Sequence, residues 1–155
     1  AMGYYGPGLR ALATMSGGYT TMRDQKRAEG LPARVFVVDD EDFIRELYKD
    51  MFESRGHTVF SARDGEEAVR LIRSMPSKPD AIIMDHRMPG KDGIETTREI
   101  KTIDPSIPII FSSADETVRE QAIRAGAISF WTKPFPISML IDATMDIVNA
   151  RKRMH

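Results

Sequence analysis

The chain has 155 residues, 22 lysines and arginines against 23 aspartates and glutamates, and no cysteine. That length suits one compact domain with a substantial core, and the balanced charge gives no ground for nucleic-acid or membrane-surface binding. The lack of cysteine excludes disulfides and thiolate metal sites, and no apolar stretch approaches the roughly 18 residues of a membrane span, so a soluble cytoplasmic protein is expected.

Residues 1–33 hold six of the eleven glycines and three of the four tyrosines, with no strand-like run. They read as an N-terminal extension or vector-derived arm, with one or two helical turns over Leu9–Met15, and Met15 and Met22 are candidate internal starts. Ala1-Met2 has the look of a cloning scar, and no signal-peptide pattern is present. From Arg34 to Arg153 strands and helices alternate. Val35–Val38 is an apolar run, and Phe43, Ile44, Leu47, Met51 and Phe52 recur at helical spacing after it, up to a cap at Gly56. His57–Ala62 is a second strand. Asp64-Gly65-Glu66-Glu67 resembles a capping box and opens a helix carrying Val69, Ile72 and Met75. Ala81–Met84 is a third strand, and the turn-rich Pro89-Gly90 and Asp92-Gly93 lead into a helix through Ile94 and Ile100 that Pro105 closes. Ile107–Phe111 reads as a fourth strand, with Pro108 tolerable at its entry. A helix through Val118, Ala122 and Ile123 follows, ending at Gly126. Ile128–Thr132 is the fifth strand, and a last helix runs from Ile137 towards Arg151, with basic final turns. Five strands alternating with five helices predict an α/β fold, a doubly wound parallel sheet ordered 2-1-3-4-5.

Three of the apolar runs stop abruptly in chemistry-bearing residues: the first in Asp39-Asp40, the third in Asp85, the fifth in Lys133-Pro134. Continuous apolar runs are strands buried on both faces, and ligands of open parallel sheets sit outside their carboxyl ends. Three carboxylates and one ammonium would thus converge, a costly arrangement unless a cation and an anion complete it. Each residue also has a purely structural reading. One acid of the pair could cap a helix starting near Glu41, Asp85 could be a strand-end turn residue, Lys133 a strand-end lysine, and Ser113 a cap for the next helix. Taken together, the carboxylates are the hard oxygen ligands that magnesium prefers.

The set Val37-Val38-Asp39-Asp40-Glu41, Asp85-His86-Arg87-Met88-Pro89-Gly90-Lys91-Asp92-Gly93, Ser112-Ser113-Ala114 and Lys133-Pro134-Phe135 resembles the receiver domain of two-component response regulators, over residues 34–153. The resemblance implies the flavodoxin-like receiver fold and a phosphoacceptor at Asp85 that takes its phosphoryl group from a histidine kinase or phosphotransfer protein. It implies Mg2+ held by Asp40 directly, by Asp39 mostly through water, by Asp85 and by the backbone carbonyl of Arg87. It further implies Lys133 as the phosphoryl counter-charge, with a cis bond to Pro134, Ser113 as the switch hydroxyl and Phe130 as the switch aromatic. Output would pass to an effector protein or a second copy through the face of the fourth helix, fifth strand and last helix, without direct nucleic-acid or membrane binding. The domain would be a timed switch catalysing its own phosphorylation and dephosphorylation, not a metabolic enzyme.

Arg87 and Asp115, two residues after Asp85 and Ser113, lie where the family tunes dephosphorylation; their opposite charges fit either a pair across the site mouth or independent solvated side chains. His86 should face the other side of the sheet from Asp85 and is not counted as catalytic. His57, His86 and His155 form no metal cluster, and Trp131 reads as a packed strand residue. Haloacid-dehalogenase-like phosphatases need a second acid two residues past the nucleophile, where this chain has Arg87. A flavodoxin-like cofactor binder needs a Ser/Thr/Gly phosphate loop after the first strand, where this chain has Asp39–Asp42. A degenerate receiver acting as an unphosphorylated interaction module is the remaining alternative. With no room for an output domain after Phe135 beyond the last helix, the chain reads as a stand-alone receiver or a fragment of a longer regulator.

Overall fold

The computed structural model describes residues 31–154; the expected N-terminal turn at Leu9–Met15, the candidate starts and His155 lie outside them. Five parallel strands, β1 (Arg34–Val38), β2 (Thr58–Ala62), β3 (Ala81–Asp85), β4 (Ile109–Ser113) and β5 (Ser129–Thr132), form one sheet in the order β2-β1-β3-β4-β5. The helices between them are α1 (Asp42–Ser54), α2 (Gly65–Ser74), α3 (Gly93–Ile103), α4 (Arg119–Ala125) and α5 (Ile137–Arg153), with a 3-10 turn at Glu116–Val118 before α4. This is the doubly wound α/β fold expected from the alternation.

Sequence explains the layering. β3 and β4 are buried at every position, as continuous apolar runs require, whereas the edge strand β2 is exposed or half-buried everywhere except Ala62. Side chains of successive strand residues point to opposite faces, so the sheet divides two half-cores. Phe36, Val38, Ile82, Met84, Phe111 and Phe130 pack with Ile72 of α2, Ile100 of α3 and Ala122 of α4. Val35, Val37, Ile83 and Ile110 pack with Tyr48 and Phe52 of α1 and with Leu140, Ile141 and Met145 of α5.

Local chemistry sets the helix ends. Asp64 and Asp92 are N-caps that accept from the amides of Glu67 and Glu95, satisfying donors that a helix start leaves orphaned. Gly56, at φ +89°, takes the left-handed turn after α1, and His57 N–H donates back to the Phe52 carbonyl at 3.1 Å.

Several boundaries differ from the sequence expectation: β2 and β5 begin one residue later, at Thr58 and Ser129, and Val118 lies in the 3-10 turn instead of α4. Met75 falls just past α2 as its C-cap. β4 begins at Ile109 and runs on through Ser112 and Ser113, two residues later than Ile107–Phe111. Proline has no N–H to place in a ladder, so Pro108 stays outside and contributes only its carbonyl, which accepts from Ile82 N–H at 2.9 Å. No described helix is long and apolar enough to cross a membrane.

Candidate functional site

The carboxyl ends of β1, β3 and β4 deliver the charged residues to one rim. Asp39 and Asp40 follow Val38 directly, Asp85 ends β3 beside Ser112, and Ser113 ends β4 beside Thr132. Lys133 N–H donates to the Ser113 carbonyl at 2.9 Å, and the Lys133–Pro134 peptide is cis, as expected.

Carboxylate oxygens of Asp39, Asp40 and Asp85 lie within 4.8 Å of one another. Asp39 and Asp85 are 4% and 6% exposed, while Asp40 is exposed. Lys133 Nζ donates to Asp85 Oδ1 at 2.8 Å. Three carboxylates against one ammonium leave two negative charges uncompensated, and the acids respond. Burial, and then the charge of Asp85, push Asp39 up to about 6 from an ordinary 3.8. Burial also raises Asp85, although the hydrogen bond and charge of Lys133 oppose it. Burial pulls Lys133 down, but its hydrogen bond to Asp85 and that residue's charge outweigh the effect and leave it raised. Beneath the acids, burial and then their negative charge raise the Tyr48 phenol as well. An all-oxygen donor set with two surplus charges fits a hard divalent cation. Asp39, Asp40 and Asp85 form the one such group of acids among the described residues.

The capping role open to Asp39-Asp40 is not the one found. α1 starts at Asp42, its N-cap Glu41 makes no side-chain cap bond, and Asp39 Oδ1 instead accepts from Glu41 N–H at 2.9 Å. Arg45, which sequence reading missed, fastens this turn by donating to the Asp39 carbonyl at 2.7 Å and pairing with Asp42. Its position one turn into α1 after four consecutive acids was the available sequence signal.

Ser113 is 3% exposed, and its Oγ accepts from Asp115 N–H at 3.0 Å. Asp115 in turn accepts from Thr117 N–H at 3.0 Å, capping the 3-10 turn. Arg87 and Asp115 approach to 3.6 Å, so of the two arrangements open to them the structure has the pair. His86 points into the half-core opposite Asp85, as expected, yet it is not remote from the site. Its Nδ1 lies 3.4 Å from Ser113 Oγ, and its ring meets Phe111 at 5.7 Å. Phe111 stacks on the buried Phe130 at 5.8 Å, and the Arg119 guanidinium covers Phe130 at 4.7 Å while pairing with Glu116 at 2.6 Å. Trp131 points to the other layer and packs on Phe135 at 5.6 Å.

Comparison with known proteins agrees with this geometry. The family described as the response regulator receiver domain matches residues 35–145. Chemotaxis protein CheY of Halobacterium salinarum is 37% identical over 119 residues, covering 76% of this chain and 98% of its own. Response regulator MprA of Mycolicibacterium vanbaalenii is 35% identical over 113 residues, 72% of this chain; the chain spans about half, 48%, of that relative's length. The receiver domain of sensor histidine kinase PA1611 from Pseudomonas aeruginosa PAO1, solved with a magnesium ion coordinated in its active site cleft, superposes with a TM-score of 0.67. The two are 30% identical over 76% of this chain and 98% of that one. Family match, identity and strand order together mean that this chain belongs to the response regulator receiver domain family.

Proposed function

We propose that Asp85 accepts a phosphoryl group from a phosphohistidine donor, a sensor histidine kinase or phosphotransfer protein, and that the acyl phosphate switches a protein-interaction surface. The observation that carries this is the meeting of three carboxylates within 4.8 Å with an ammonium 2.8 Å from one of them. In this reading residues 34–153 form the receiver and residues 1–33 an extension.

Asp40 would hold Mg2+ directly, Asp39 largely through water, and Asp85 and the carbonyl of Arg87 would complete the protein ligands. A divalent cation bound there lowers the acids' raised affinity for protons and screens the incoming phosphoryl oxygens. Asp85 attacks as the carboxylate: its oxygen–phosphorus bond forms as the donor's phosphorus–nitrogen bond breaks, the electron pair returning to the imidazole. Lys133, already on Asp85, moves its charge to the phosphoryl oxygens. Positioning and electrostatics supply most of the acceleration. The Ser113 hydroxyl is drawn towards the new anion, and Phe130 follows, biasing the face of α4, β5 and α5 that an effector or a second copy would read.

Incubation with acetyl phosphate and Mg2+, followed by intact mass and oligomeric state, tests this. The wild type should gain one phosphoryl group only when Mg2+ is present, and Asp85→Asn should gain none. No gain by the wild type would leave an unphosphorylated interaction module as the reading.

A further inference from the structure

We infer that His86 is a positioning residue that holds the Ser113 hydroxyl in its resting orientation and so opposes the switch; this rests on Asp85 being the acceptor and on Ser113 answering it. Alternation at the end of β3 sends Asp85 and His86 to opposite faces, so His86 cannot reach the reacting atoms themselves. It reaches Ser113 instead, on the face shared with Phe111. One lone pair of Ser113 Oγ already receives Asp115 N–H at 3.0 Å. A buried hydroxyl also needs an acceptor for its own hydrogen. Among the described residues, His86 Nδ1 lies 3.4 Å away, and in the tautomer that carries its proton on Nε2 it accepts that hydrogen.

Both the ring and the backbone of His86 are held. Its ring leans on Phe111 at 5.7 Å, and its backbone carbonyl accepts from Gly93 N–H at 2.8 Å. A hydroxyl has one hydrogen, so donation to His86 and donation to a phosphoryl oxygen on Asp85 exclude each other. The resting contact therefore competes with the activated one. Its length places it at the weak end of neutral hydrogen bonds, and its loss raises the fraction of molecules in which Ser113 is free to turn.

The test is titration with beryllium trifluoride, a phosphoryl analogue, in saturating Mg2+, read by calorimetry, with thermal melts to verify folding. His86→Phe keeps a ring against Phe111 but offers no acceptor, and it should bind about two- to fivefold more tightly than the wild type. His86→Leu serves as a second variant without an acceptor. His86→Asn, whose amide oxygen can stand near the Nδ1 position, should stay close to wild-type affinity. In a Ser113→Ala background the His86→Phe gain should vanish, because there is no hydroxyl left to release. Binding by the wild type with both non-accepting variants unchanged overturns the role of His86 alone, as does a gain that persists without Ser113. No binding by the wild type overturns the acceptor reading and this inference with it.

Discussion

Asp39 carries a charge in a place that disfavours it, and this has a definite sign in pH. Its folded pKa of about 6 lies above the ordinary 3.8, so the protonated form is the one that the metal-free fold prefers. The stability it contributes is complete below about pH 4 and is lost as the pH rises through about 6, an effect on the order of 3 kcal/mol at neutral pH. Urea unfolding of the metal-free protein should show this loss, and Asp39→Asn should reduce it while weakening the stabilisation by added Mg2+. Identical pH profiles for the two proteins would contradict the assignment. At the site mouth, the Arg87–Asp115 pair at 3.6 Å is a surface contact, with Arg87 80% exposed. Such pairs have small effects, so Arg87→Ala or Asp115→Asn should shorten the lifetime of the phosphorylated state by only about twofold, through easier entry of water. Equal decay rates, followed by loss of phosphate from intact protein, would show that the pair does not shield the bond.

At the scale of elements, the seating of α3 against the end of β3 is the tightest constraint on the site. A Cβ on Gly93 would stand 2.2 Å from the Asp85 carbonyl oxygen and 2.9 Å from His86 Cα. Backbone cannot yield as a flexible side chain does, so Gly93→Ala should cost about 1–3 kcal/mol by overpacking. It should also slow acceptance of phosphate by shifting the strand end that carries Asp85. An unchanged urea midpoint would mean that α3 can slide at no cost. Element types and order were legible from the apolar runs, because both half-cores demand them. Their edges were less so. β4 was misplaced because hydrophobicity ends at Phe111 whereas pairing continues through Ser112 and Ser113, whose backbone finds partners in β3 and β5. Hydroxyl side chains look like a loop to any reading based on burial of apolar groups.

Across the whole molecule, the residues that converge were readable because parallel topology fixes where strand ends go; Asp39, Asp40, Asp85, Ser113 and Lys133 needed only the strand order. Contacts made between side chains of different elements were not. The approach of His86 to Ser113 depends on β3–β4 register, and the cover of Arg119 over Phe130 depends on how α4 lies after a 3-10 turn, neither of which periodicity encodes. The alternation at the rim has a broader result. At the rim, adjacent residues 85 and 86 face opposite half-cores, so a covalent mark on Asp85 lies one residue along the chain from the layer that holds Ser113 and Phe111. Because α1 and α3 pack on opposite sides of the sheet, mutational drift in α1 can remodel its own surface while α3 keeps the seating that fixes Asp85.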